Sequence, residues 1–135
     1  MATRAHQFIA DLLAQRMRLD GYEVVSFDGY SETEGDLKKL PPTIKRHRPD
    51  LIGLKKGFLV IGEAKTAGDI GARTREQIED YVDCARNIEE TKLIVYLGVP
   101  LSVKGKVKKI TEEARGNNCV VILGVPDRLL PTEYD

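Results

Sequence analysis

The chain has 135 residues, 41% of them apolar, enough for one domain spanning residues 1–135 that buries roughly two-thirds of its unfolded surface without metal or disulfide support. Lys plus Arg and Asp plus Glu each number 21, so net charge argues for no polyanionic partner, and any such case must come from local clustering. Cys84 and Cys119, far apart in apolar segments, fit reduced core thiols of an intracellular protein. No run approaches the roughly 18 apolar residues of a membrane span, and the N-terminus lacks a signal-peptide apolar core.

In chain order, Thr3 is placed to cap a helix whose apolar residues Phe8, Ile9, Leu12, Leu13 and Met17 follow helical spacing, with Gly21 as its stop. Tyr22 to Phe27, β-branched and aromatic, reads as a strand. About twenty polar residues follow, a length that inside a small domain marks a functional or mobile loop. Two strands come next, about Pro49 to Leu54 and Phe58 to Lys65, joined at Gly57. Ile78, Tyr81, Val82, Ala85 and Ile88 mark an amphipathic helix from about Arg73 to Ile88. "KLIVYLGVP" is a buried strand, Ser102 is placed to cap a third helix with Val103, Val107, Ile110 and Ala114 on one stripe, and "CVVILGV" is the last strand, followed by an irregular tail from Pro126. The order α-β-β-β-α-β-α-β predicts an α/β fold. An antiparallel meander leads into parallel right-handed crossovers, giving a mixed sheet with helices on both faces.

The two central strands carry charge where a buried strand should have none. Asp50 and Glu63 lie in apolar surroundings, with Lys65 two residues beyond Glu63 and therefore on its face. A two-residue Lys56-Gly57 turn would pair Lys55 with Phe58 and set Asp50 opposite Glu63, with Cβ atoms about 5 Å apart. A three-residue loop over Lys55 to Gly57 is the alternative, and it would turn Asp50 to the other face unless a bulge compensates. Two adjacent buried carboxylates repel and are costly to desolvate, a conflict that a hard divalent cation resolves, magnesium being the natural one. Lys65 adds positive charge and a proton donor suited to a phosphate under attack by water, so the chemistry implied is phosphodiester hydrolysis.

Pro49-Asp50 followed by Glu63-Ala64-Lys65 across a β-hairpin resembles the PD-(D/E)xK signature of the restriction-endonuclease-like nucleases, and the α-β-β-β-α-β-α-β order is similar to that superfamily's core over nearly the whole chain. The resemblance implies metal binding by Asp50, Glu63 and the carbonyl of Ala64, with Lys65 orienting or activating water. "QIEDY", Gln77 to Tyr81, is similar to the QxxxY motif of RecB-type nucleases, which also favour a Thr after the lysine, here Thr66. Positions four apart share a helix face, so Gln77 and Tyr81 would present an amide and a phenol to one phosphate region. Family members usually carry a further acid or a histidine on the first helix; the resemblance puts that role on His6, with Gln7 beside it, and a histidine ligand would favour manganese beside magnesium.

Basic residues cluster at Lys38, Lys39, Lys45, Arg46, His47 and Arg48, leading into the signature, and at Lys104, Lys106, Lys108 and Lys109. Such runs are most often solvated faces, but Lys45, Arg46 and Arg48 abut Asp50, and Arg73 and Arg75 open the second helix, so these five are the candidate nucleic-acid contacts. Glu32, Glu34 and Asp36 in the long loop are candidate extra ligands. No aromatic platform for base stacking is evident. The resemblance implies a magnesium-dependent deoxyribonuclease, either end-acting in the RecB manner or specific for branched DNA like the dimeric archaeal junction resolvases, with a homodimer as one expected state and no membrane partner. A non-catalytic nucleic-acid-binding or assembly subunit of the same fold is the alternative, and an ion network formed by Asp50, Glu63 and Lys65 in a generic α/β domain is a third reading.

Overall fold

The turn between the two central strands decides which face each of their residues occupies. In the computed structural model, which describes residues 3–28, 40–88 and 90–132, Lys56 and Gly57 alone form that turn, with Gly57 at φ +81°. Strand β2, Leu51–Lys55, then runs antiparallel to β3, Phe58–Ala64, in a register from Lys55↔Phe58 to Leu51↔Gly62. Of the two loop lengths weighed above, the two-residue form is therefore the one present. Strand β1, Glu23–Phe27, flanks β2 antiparallel with a bulge between Val24 and Ser26. Strands β4, Lys92–Pro100, and β5, Val120–Val125, extend the sheet in parallel from β3, giving the order β1-β2-β3-β4-β5. This is the mixed α/β sheet and element order expected from the sequence.

Helix α1, Arg4–Leu19, starts where the Thr3 hydroxyl accepts the His6 amide at 3.0 Å, and the chain leaves it through Gly21 at φ +95°. Its buried stripe of Ile9, Ala10, Leu13, Ala14 and Met17 packs with Val60, Ala64 and Tyr96 on one face of the sheet. Helices α2, Ala72–Ala85, and α3, Lys104–Glu113, cover the other face, where Ile78, Tyr81 and Val107 meet Ile61, Val95 and Leu97. Alternation along β3 thus sends Val60 and Ala64 toward α1, and Ile61 and Glu63 toward α2.

Several boundaries differ from the sequence reading for local reasons. Helix α2 stops at Ala85 rather than Ile88, because Ile88 is 43% exposed and finds no core to bury against. Ser102 does not cap α3. It sits inside a 3₁₀ turn, Leu101–Val103, where its amide and hydroxyl both donate to the Asp127 carboxylate at 2.9 and 2.6 Å, and the tail carries a second such turn, Asp127–Leu129. Cys84 and Cys119 are free and half-buried rather than fully enclosed. Lys38, Lys39, Glu32, Glu34 and Asp36 lie outside the described residues. Among the described residues no helix is long and apolar enough to cross a membrane.

Gly98 of β4 lets α1 approach the sheet closely enough to bring its first turn over the strand ends. A Cβ there would lie 2.6 Å from Ile9 Cγ2 and 3.0 Å from Leu13 Cγ. Gly98→Ala is therefore expected to cost about 1–3 kcal/mol through overpacking, measured by urea denaturation.

Candidate active site

The β2–β3 ladder ends at Leu51↔Gly62; just before it the Asp50 amide donates to the Gly62 carbonyl at 3.1 Å, and the Asp50 side chain lies beside Glu63. Both side chains are buried, at 7% and 4% exposure, on the face covered by α2. Asp50 Oδ2 accepts the backbone N–H of Ala64 at 2.8 Å and lies 3.2 Å from His6 Nε2, which reaches it from the first turn of α1. That hydrogen bond and the Asp50 charge hold the His6 imidazole protonated above its ordinary range. Glu63 Oε1 accepts the Tyr81 phenol at 2.5 Å. Burial first, then the neighbouring Asp50 charge, push the Glu63 carboxyl up to about 8, although Lys65 and the Tyr81 hydrogen bond pull it down. Burial and the adjoining Glu63 carboxylate push the Tyr81 phenol far upward, so it remains a hydrogen-bond donor throughout the useful pH range.

Glu63, Ala64 and Lys65 form one wall of an open cleft of about 590 Å³, with Thr3 and His6 of the first-helix end, Arg73 and Gln77 of α2, and the Thr66–Asp69 turn around the rest. Asp50 lies behind that wall. Lys65 is 9% exposed, and its amide extends the β3–β4 pairing by donating to the Gly98 carbonyl at 2.9 Å. Gln77, 8% exposed, has a buried Oε1 with no partner among the described residues, as has His6 Nδ1. A buried carbonyl oxygen without a partner is costly, and Gln77, which lines the cleft, is a candidate contact for a bound group.

The chain thus brings Asp50, Glu63, Lys65, Gln77, Tyr81, His6 and Arg73 to one place. The other basic candidates go elsewhere. Lys45 pairs with Asp80 and Asp83 at 3.6 and 3.4 Å, Arg46 pairs with Glu76, Arg75 bonds Glu79 at 3.4 Å, and Arg48 is exposed on the loop before β2. Lys45 holds φ +53° in a two-residue turn closed by Ile44 and His47, so the charged tip folds onto the acidic side of α2. His47, 3% exposed, joins that contact through Asp80 Oδ2 at 2.7 Å and sets its ring edge-on to Tyr81 at 5.9 Å. Donor atoms of His47, Glu76 and Asp80 lie within 4.8 Å of one another, but Lys45 and Arg46 already balance the two carboxylates.

One cleft residue escaped the sequence reading. Asp69 Oδ2 accepts the Thr66 hydroxyl at 2.7 Å and the Thr66 amide at 3.1 Å, and together these outweigh burial and lower the Asp69 carboxyl below its ordinary range. The spacing Thr66-Ala67-Gly68-Asp69, a hydroxyl residue with an acid three positions on, was the available signal. It fixes the strand exit immediately after Lys65.

The residues present suit a divalent cation: two neighbouring buried carboxylates, a strand carbonyl beside them, and a Glu63 carboxyl that burial and the Asp50 charge hold protonated near neutral pH, against the pull of Lys65 and Tyr81. The chain matches no known family model, and no curated protein matches it. Among solved structures it resembles an fdxN element excision controlling factor protein from Anabaena variabilis, at 15% identity and a TM-score of 0.49 over 97% of this chain and 98% of the other. It also resembles an XisH family protein from Nostoc punctiforme, at 14% identity and a TM-score of 0.48 over 95% and 97%. Likeness this slight transfers no property of either protein.

In metal-free buffer the Glu63 carboxyl binds its proton more tightly in the folded chain, near pH 8, than at its ordinary value of 4.5. The native state therefore holds the extra proton between those values, and stability falls as pH rises through that window. Chelator-treated protein is expected to lose a few kcal/mol between pH 5 and pH 8.5 by urea denaturation. Glu63→Gln, which cannot ionise, is expected to flatten the slope.

Proposed function

We propose that this chain is a metal-dependent nuclease that hydrolyses phosphodiester bonds of DNA inside the cell. The observation that carries the reading is that Glu63 and Lys65 line one open cleft with Gln77 and Arg73, while Asp50 lies directly behind them and acts on Glu63 through its charge. The carboxylates of Asp50 and Glu63 and the carbonyl of Ala64 would hold magnesium, with manganese able to substitute. Bound there, the cation supplies a Lewis acid for the phosphate and lowers the pKa of a coordinated water.

The rest is the work of the chain. Lys65, fixed by the Gly98 carbonyl and the Thr66–Asp69 turn, offers its ammonium to the attacking water and the phosphate oxygens. Tyr81 donates to one Glu63 oxygen and thereby leaves the other to face the cation. His6 braces Asp50 in the same way from α1. Gln77 and Arg73 line the side on which the polynucleotide backbone would lie, the amide orienting a phosphate and the guanidinium neutralising it. A water oxygen bonds to phosphorus as the bridging P–O bond breaks, and the departing oxygen leaves with a proton. Lys45 and Arg46 are committed to α2, so the reading places the backbone along Arg73 rather than along the loop before β2.

The test incubates purified protein with labelled linear, nicked and branched DNA in magnesium, manganese or chelator. Cleavage that requires a divalent cation is expected, with Asp50→Ala and Lys65→Ala each lowering the rate by about 10²–10⁴-fold. Millimolar magnesium or manganese is expected to raise the melting temperature of the wild type and not that of Asp50→Ala. DNA binding without cleavage in either metal would favour a non-catalytic subunit, and cleavage indifferent to Lys65→Ala would remove the assigned chemistry.

A further inference from the structure

The two edges of the sheet are built differently. On β1 the bulge between Val24 and Ser26 and the exposed Glu23 interrupt the outer row of backbone groups. On β5 nothing does: six residues, Val120–Val125, pair with β4 in unbroken register and include no charge and no proline. An apolar edge of that kind is a template for another strand unless it is covered. Its surroundings are apolar as well. Val121 is 39% exposed, and two further exposed leucines flank the far end of the strand. Leu101 lies against Gly124, where a Cβ would meet its Cδ1 at 2.9 Å. Leu129 is held at that end by the Ser102–Asp127 hydrogen bonds.

Beside the edge runs a groove of about 420 Å³ between α3 and β5, whose lining includes Lys104, Lys108, Thr111, Glu112, Val120 and Ile122. Thr111 is 6% exposed and its hydroxyl has no partner among the described residues. The charges are ordered along it. Lys104 lies beside Gly124, near the end of β5, while the Glu112 carbonyl accepts from Asn117 in the turn that leads into Val120. Helix α3 therefore runs opposite to β5, with its lysines toward the strand's end and Glu112 and Glu113 toward its start.

We propose that β5 and the adjoining face of α3 form a docking surface for a second copy of this chain, the two β5 strands pairing antiparallel about a two-fold axis. That symmetry sets the lysine half of one α3 alongside the glutamate half of the other, so the groove's charge pattern complements itself. A polynucleotide or an acidic peptide would suit Lys104 and Lys108 but would be repelled by Glu112 on the same face. A two-fold copy satisfies both ends, joins two five-stranded sheets into one and covers Val121. The surface is separate from the cleft and does not depend on the nuclease reading.

Sedimentation velocity on the full chain between about 1 and 100 μM tests it, micromolar association being the scale of a modest interface. The wild type is expected to be a dimer. Val121→Lys places a charge on an already exposed edge position and is expected to weaken association by at least about 100-fold while leaving the circular-dichroism spectrum of the folded chain unchanged. Lys108→Glu is expected to weaken it about tenfold, and Lys108→Glu combined with Glu112→Lys to restore it to within about threefold. A wild type that stays monomeric, a dimer indifferent to Val121→Lys, or a charge swap that restores nothing would each overturn the proposal.

Discussion

Two neighbouring buried carboxylates, offset only in part by Lys65 and His6, are the constraint around which the molecule is arranged. Burial and mutual repulsion hold Glu63 protonated up to about pH 8. The Ala64 amide and His6 meet Asp50 Oδ2, and the Tyr81 phenol donates to Glu63 Oε1. Desolvated charge of this kind costs several kcal/mol unless it is compensated. The pair therefore stores a cost that its proton now relieves.

The support for that pair extends well beyond its contacts. Tyr81 is 1% exposed and is backed by the His47 ring, which Asp80 holds from the adjacent position of α2. The loop that carries His47 is in turn pinned by Lys45 and Arg46 on Asp80, Asp83 and Glu76. Basic residues that look in sequence like a polyanion-binding run thus act inside the chain, fastening the approach to β2 against the helix that orients Glu63. Exposed pairs of this sort contribute little stability one by one. Their effect is to fix where His47 sits.

The fold and the core of the site were legible because both depend on periodicity and parity. Apolar spacing located every major element, and the position of Gly57 relative to Lys55 and Phe58 made opposed placement of Asp50 and Glu63 one of two outcomes. What sequence could not decide was which partner a polar side chain chooses when several lie within reach. Ser102 has the residue type of a helix cap, yet Asp127, twenty-five positions away, takes its amide and hydroxyl. Lys45 and Arg46 differ from Arg73 only in which carboxylates the tertiary fold brings near them. Asp69 was overlooked because its role depends on a turn one residue beyond the strand, where local spacing is informative but short.

Helix α1 lies directly on β4 at Gly98, and His6 on that helix meets Asp50 forty-four positions later. The β2–β3 hairpin that carries the acids is local in sequence, whereas the parallel β3–β4 seam and the seat of α1 on it join distant segments. The aspartate and the imidazole therefore share a pocket only through non-local packing, so loosening the first helix at Gly98 would detach His6 from Asp50 and leave the hairpin itself intact.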